Sequence, residues 1–474
     1  MTRTDLNILL PEMALTVLVF GLLIGGKVSR RHNINSLLVL VTAGSFAALA
    51  LIIMVNGVGS RSVLGDLMTD TPYTRFARIT ALISAAAVLL MSLGYMRARK
   101  ILPLEFTPLI VLAVLGLLFA LGSAHLLLLY LGVEISGLAL YALTALRRDN
   151  SRAAEAGLKH LVVGALGSGV LLYGASLVFV ATGDWTLSGT TAAHPLLPYG
   201  IAMIVLGLAS KAFAAPFHMA APDVYEGAPT PVAAFLATVP VLAGLCLLAS
   251  VLAGAFEGAK TIWQPMVIFM AALSMFFGAV GLLGRMNIKR FMAYSVVVHV
   301  GFALMGLAAG TEAGVQAMLI HAAITVLIHV GVFAFILMME RDGAPVTDLG
   351  ALDMYAQHSP GRAIALLALL VGLAGLPPLL GFVGRLYPFV AAFEAGLGWL
   401  VLVGVLASVV AAAGYLRIAC RMYFIDETLD ELDRTRRDTL LGFLSVCAAA
   451  MLLGIVNLFG LEAVTQEAAG ALLR

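Results

Sequence analysis

Gly207-Leu-Ala-Ser-Lys211-Ala-Phe-Ala-Ala-Pro216-Phe-His218 closes an apolar run that begins near Leu196. A bilayer-crossing helix needs about 20 such residues, yet this one holds a central lysine with a proline five residues beyond it. Pro216 has no backbone N–H and breaks or kinks a helix. Broken backbone survives at membrane depth only where protein or water satisfies it. A second stretch reads the same way: Gly375-Leu-Pro377-Pro378-Leu-Leu-Gly381-Phe-Val-Gly384-Arg385 sets two prolines and three glycines before a basic residue.

The rest of the chain agrees that lipid is the solvent. Of the 474 residues, 61% are apolar and 11% charged, against roughly 45–50% and 25% in soluble proteins. Mean hydropathy is +1.03. A net charge of +2 gives nucleic acid no footprint. Cys246, Cys420 and Cys447 have no metal-ligand spacing and read as packing residues. Met1 to Asn7 carries no basic leader, so the first apolar run reads as a retained helix.

Apolar runs near 6–26, 34–55, 77–96, 107–122, 124–146, 153–182, 196–219, 230–254, 261–284, 289–309, 313–340, 362–393, 396–424 and 439–460 predict an all-α polytopic membrane protein. It has about fourteen transmembrane helices. With the N-terminus outside, one set of loops collects Lys27, Arg30, Arg31, Arg97, Arg99, Lys100, Arg147, Arg148, Arg152, Arg285, Lys289 and Arg290. The opposite set has Arg3, Arg61, Arg75, Arg78, Lys260 and Arg474. Positive charge marks the cytoplasmic side, so the expectation is a bacterial inner membrane protein with both termini periplasmic.

The two broken helices are the seventh and twelfth spans, five apart. A five-helix unit repeated in tandem inserts upside down the second time, so spans 4–8 and 9–13 read as inverted repeats, each with a broken helix. Paired interruptions of this kind point to a transport pathway; chance kinks are the alternative. The expected divisions are an N-terminal three-helix segment (1–106), a first repeat (107–254), a second (255–424) and a C-terminal loop and last helix (425–474).

Ionisable groups inside spans are costly and usually functional. Glu134, Lys159, Lys211 and Arg385 are such groups. A buried carboxylate ionises beside an ammonium, so Glu134 with Lys211 reads as a proton carrier or as a static ion pair. Lys159 reads as a carrier or as a side chain reaching the interface. His218, His299, His321 and His329 are natural shuttles or hydrogen-bonded packing residues. His321 and His329 share a helix face. Glu12, beside Pro11, reads as interfacial. Gly164, Gly167, Ser168 and Gly169 read as close helix packing. No metal or cofactor motif is present in the sequence.

Pro216-Phe-His218 with Pro222-Asp223-Val-Tyr225-Glu-Gly227-Ala-Pro229-Thr-Pro231, Asn287-Ile-Lys289-Arg290 with Ala293-Tyr294-Ser295 and His299, and Ala374-Gly375-Leu-Pro377-Pro378 resemble the antiporter-like subunits of respiratory complex I. Glu134 with Leu138-Ala139-Leu140, and Leu158-Lys159-His160, are most similar to the subunit N type. The resemblance covers nearly the whole chain. It implies a membrane-arm role in a proton-translocating NADH–quinone oxidoreductase, with Glu134, Lys159 and Lys211 on the proton path. FMN, Fe–S clusters and quinone would sit in other subunits. Partners would be subunits of the K and M types, together with membrane lipids. The chain departs from the family at Val241 and Arg385, where lysines are usual, at Arg285-Met286 in place of Gln-Thr, and at His321 and His329 in place of Tyr and Asn. Val241 removes a protonatable group, and an arginine essentially never deprotonates. A scaffold subunit with lost pumping, and a cation/proton antiporter or hydrogenase-linked relative, are the other readings.

Overall fold

Short polar side chains open the long helices. The Asn150 carboxamide oxygen accepts from Arg152 N and Ala153 N at 2.9 and 3.4 Å, and Asn287 accepts from Lys289 N and Arg290 N at 3.0 and 3.3 Å. Thr311 accepts from Gly314 N at 3.1 Å. Each satisfies amides that the first helical turn leaves open. The computed structural model describes residues 3–28, 32–57, 59–98, 105–187, 194–425, 432–433, 438–455 and 457–473. Arg30, Arg31, Arg99, Lys100 and Arg474 lie outside them.

The helices are α1 (Arg3–Val28), α2 (His32–Asn56), α3 (Pro72–Ala98), α4 (Phe106–Leu121), α5 (Leu126–Thr144) and α6 (Ser151–Thr182). Then come α7 (Leu197–Lys211), α8 (Ala221–Gly227), α9 (Thr230–Ala249), α10 (Lys260–Leu282), α11 (Ile288–Ala308) and α12 (Glu312–Ile336). The chain ends with α13 (Tyr355–His358), α14 (Pro360–Ala374), α15 (Leu380–Glu394), α16 (Gly398–Phe424), α17 (Asp438–Leu453) and α18 (Leu461–Leu472). Two small antiparallel hairpins, Arg61–Val63 with Met68–Asp70 and Glu340–Arg341 with Ala344–Pro345, lie in loops.

Among the described residues ten helices are long and apolar enough to cross a membrane, or eleven if α17 and α18, bent by 112°, count as one span. The helices α4, α7 and α14 are apolar but shorter. Both expected breaks are present. Helix α7 stops at Lys211 and the chain resumes through a 3-10 turn, Phe217–Ala220, into α8. Helix α14 stops at Ala374, and α15 begins at Leu380.

Burial ranks the helices and so places the site. Every residue of the α9 window is buried, as are 94% of α11 and 89% of α12, while α1, α2, α6 and α16 keep most of their surface outward. The centre of the bundle is therefore α9, α11 and α12. Small residues let its neighbours close up. A Cβ on Gly116 of α4 would stand 2.5 Å from Ser136 N of α5, and one on Gly132 would stand 2.6 Å from Ala120 N.

Two expectations about charge change. Arg75 and Arg78 are not loop residues, because α3 begins at Pro72. Glu12 is not interfacial: it is 2% exposed and ion-paired with Arg78, which is 1% exposed. One turn of α1 beyond Pro11 is already covered by α3 and α4, and a charge held there needs a counter-charge.

Candidate functional site

Helix α7 ends on Lys211, and the carbonyls of Ala209 and Ser210 before it are met by the amides of Ala212, Phe213 and Ala214. The Lys211 ammonium donates to Ser168 Oγ at 2.6 Å, to Gly164 O at 3.1 Å and to Tyr141 OH at 3.4 Å. Its counter-charge is Glu134 Oε1 at 3.8 Å, an ion pair without a direct hydrogen bond. Glu134 and Lys211 are 24% and 15% exposed at their side chains. The ammonium also lines a cavity of about 40 Å³ with Ser136, Tyr141, His160 and Ser210. The Ser136 hydroxyl is buried there with no hydrogen-bond partner. A cavity that size holds a few waters, and in its mostly apolar wall the Lys211 ammonium and the Ser136 and Tyr141 hydroxyls are their partners.

The expected close packing is present at Gly164 and Gly167 but not at Gly169, and at Gly164 it has a second use. Gly164 leaves its carbonyl to Lys211 and room for the Tyr141 ring. A Cβ there would collide with the Tyr141 hydroxyl. Gly164→Ala is therefore expected to displace Tyr141 and lower the temperature of thermal unfolding by several degrees, with Gly169→Ala, which meets nothing within 4 Å, as the neutral control. Thermal unfolding of the two purified variants reads both.

A second polar centre lies across α9. His299, His321 and His329 line a cavity of about 20 Å³ with Val241 and Thr325, room for about one water. His299 Nδ1 and His321 Nε2 are 3.3 Å apart. Tyr415 OH stands 3.5 Å from His299 Nε2 and 2.7 Å from Ser295 Oγ, which stands 3.5 Å from His329 Nε2. The wall between the two centres is one helix thick. Leu236, Pro240, Gly244 and Leu247 of α9 face the Lys211 cavity, while Ala237, Val241 and Leu245 face the histidines. Pro240 offers no amide to the Leu236 carbonyl, leaving that oxygen without its helical bond on the Lys211 side.

Two expected residues, Lys159 and His218, sit apart from these centres, and a third, Arg385, borders the histidines through Gly384 and Phe302. Lys159 is 41% exposed and pairs with Asp223 at 2.5 Å and Glu155 at 2.8 Å, not with Glu134. They share a 330 Å³ polar pocket with Arg152, Glu226 and Arg290. Arg290 pairs with Asp223 at 2.7 Å and with Glu226, so the two sequence motifs around Asp223 and Asn287 meet there. His218 stacks on Phe277, ring centres 5.0 Å apart. Arg385 donates to the carbonyls of Ala374, at 2.7 Å, and of Leu373, and to Ser408 Oγ. Its guanidinium thus closes the open end of α14, and it lies 4.5 Å over the Phe302 ring.

Sequence reasoning missed Tyr141, His160, Ser168, Ser295 and Tyr415. His160 Nδ1 stands 3.0 Å from Thr144 Oγ1, edge-on to Tyr141. The helical spacing of Gly164 and Ser168 was a signal; nothing in the sequence tied Ser295 to Tyr415, 120 residues away.

Comparison with known proteins agrees with this architecture. Residues 123–411 match the family "NADH:quinone oxidoreductase/Mrp antiporter, TM". The chain is 44% identical to NADH-quinone oxidoreductase subunit N of Jannaschia sp. (strain CCS1) and 44% identical to that of Rhodobacter capsulatus, covering 100% of each protein in both cases. Among solved structures, a chain of respiratory complex I from Thermus thermophilus with bound aureothin superimposes with a TM-score of 0.82 at 26% identity, over 96% of this chain and 98% of that one. A chain of the Mrp complex from Dietzia sp. DQ12-45-1b shares the fold, with a TM-score of 0.86 at 20% identity over 100% and 98%.

Proposed function

The chain belongs to the NADH:quinone oxidoreductase/Mrp antiporter family, in its NADH-quinone oxidoreductase subunit N branch, and on that premise we propose how its own residues carry protons. It is a membrane subunit of NADH-quinone oxidoreductase, in which electron transfer is coupled to proton translocation. A proton enters through the polar pocket at Lys159, Asp223 and Glu226. It reaches the Glu134–Lys211 pair, passes waters in the Lys211 cavity, crosses α9 and arrives at His299, His321 and His329. The redox cofactors, FMN and Fe–S clusters, and the quinone belong to other subunits.

One observation carries this reading: two small, mostly apolar cavities, one reached by the Lys211 ammonium and the other by three histidines, flank a single buried helix. Val241, where the family usually has lysine, faces the histidine cavity. The histidines stand in for the missing amine, which favours a pumping subunit over a scaffold. Arg385 anchors the second break and carries no proton. His218 lies beside the first break and serves its packing.

We read the ten long helices, with α4, α7, the α14–α15 pair and α17, as fourteen crossings. We divide them into an N-terminal segment (1–106), two inverted repeats (107–254 and 255–424) and a C-terminal part (425–474), with both termini periplasmic in the bacterial inner membrane. The neighbours are subunits of the K and M types. Lys211→Met removes the central ammonium at similar volume. In the assembled complex in vesicles, it is expected to lower the proton-to-electron ratio by this subunit's share. An unchanged ratio with normal assembly refutes the reading.

A further inference from the structure

The histidine cluster has a donor order that its backbone contacts fix. A carbonyl oxygen only accepts. His321 Nδ1, 3.1 Å from Gly384 O, and His329 Nδ1, 2.9 Å from Thr325 O, therefore both carry hydrogen. In the uncharged rings both Nε2 atoms are then acceptors. His321 Nε2 is faced by His299 Nδ1 at 3.3 Å and by the Thr325 hydroxyl at 3.5 Å; the nearer His299 nitrogen donates, and His299 Nε2 accepts in turn. Tyr415 OH, facing that acceptor, donates to it.

That leaves the Ser295 hydroxyl. It has one hydrogen and two acceptors, Tyr415 O at 2.7 Å and His329 Nε2 at 3.5 Å. The chain His329, Ser295, Tyr415, His299, His321 is one hydrogen short. We propose that Ser295 and Tyr415 are relay residues that make this cluster a one-proton loading site with a built-in direction. The proposal rests on the reading that this chain moves protons.

A proton arriving at His329 Nε2 supplies the missing hydrogen, and every contact in the chain is then filled. Passing it on forms and breaks one bond at each station. His329 Nε2 gives a proton to Ser295 Oγ, and Ser295 gives its own to Tyr415 O. Tyr415 gives its own to His299 Nε2, and His299 Nδ1 gives its own to His321 Nε2. His329 ends as it began, Ser295 and Tyr415 each end with one hydrogen turned back toward the group that gave it, His299 ends as the other tautomer, and His321 ends as an imidazolium. Release from His321, rotation of both hydroxyls forward, and return of the His299 hydrogen from Nε2 to Nδ1 through a water in the histidine cavity reset the chain. His329 lies nearer the α12 end, followed by Arg341, and His321 lies nearer the end opened by Thr311. Loading therefore runs away from the arginine-rich face.

The test uses the whole complex in vesicles, with the proton-to-electron ratio as readout. Ser295→Ala and Tyr415→Phe keep the packing and remove one hydroxyl each. Both are expected to fall to the ratio of Lys211→Met, with no further loss in the Ser295→Ala/Tyr415→Phe double variant. Ser295→Thr, which keeps a hydroxyl, is expected to match the parent. If the hydroxyl variants pump like the parent while Lys211→Met does not, the relay is wrong and the wider reading stands. If Lys211→Met also pumps like the parent, both fall. Infrared difference spectra of the parent against His329→Gln give an independent readout that does not depend on assembly of the hydroxyl variants. The lost imidazole bands are expected to be those of a ring carrying hydrogen on Nδ1; Nε2–H bands overturn the donor order.

Discussion

Glu12→Leu is expected to destabilise the subunit by about 3–5 kcal/mol, and Arg78→Met added to it is expected to restore most of the loss. Glu12 and Arg78 are buried together between α1 and α3, far in sequence from any motif. Removing the carboxylate leaves a guanidinium that is 1% exposed without its counter-charge, and that desolvated charge is the main cost. Replacing both groups with apolar side chains of similar volume removes the charge altogether, which is often neutral or stabilising. Thermal unfolding of the purified complex, with the yield of assembled subunit in membranes, gives the comparison. A double variant as unstable as the single one would show that the packing around the pair, not the charge, is at stake. The same pair explains why the N-terminal three helices stay registered on α4: Gly122, the residue after α4, leaves room for the Arg78 guanidinium.

The second large effect is expected at Arg385→Leu. Helix α14 ends at Ala374, and among the described residues the guanidinium is the one side-chain donor to the carbonyls of Leu373 and Ala374. Leaving each buried acceptor unpaired costs about 1–3 kcal/mol. The lost cation at a helix C-terminus adds up to about 2 kcal/mol. Arg385→Lys keeps the charge but not the planar fork that reaches Ala374, Leu373 and Ser408 at once, so an intermediate loss is expected. Gly375, at φ 68°, lies where a Cβ would stand 2.7 Å from Arg385 Cζ, which is why the residue between helix end and guanidinium carries no side chain. Amide hydrogen exchange across 371–385 measures the opening. Wild-type protection in Arg385→Leu would mean that water, not arginine, satisfies those carbonyls.

Much of the site was legible because membranes make charge conspicuous. Glu134, Lys159, Lys211 and Arg385 stood out in apolar runs, and the two proline-bearing stretches marked both breaks. The pairing of Glu134 with Lys211 followed from chemistry and is present at 3.8 Å. Arg385 was legible as a buried cation but not as a cap, because its acceptors are backbone atoms that every residue has. Glu12 was misread for a related reason: Pro11 beside a carboxylate at a chain end reads as an interface unless the covering helix is known.

Sequence by itself determined the solvent, the all-helical class, the two interruptions and the family, because each is a property of composition or of residues near one another along the chain. Tertiary structure alone decided that Lys159 answers to Asp223, that α9 separates an amine from three histidines, and that Ser295 meets Tyr415. Those contacts join residues 64, 22 to 34 and 120 positions apart. Side-chain polarity tells which groups need a partner; only the packing of helices against each other tells which partner they get.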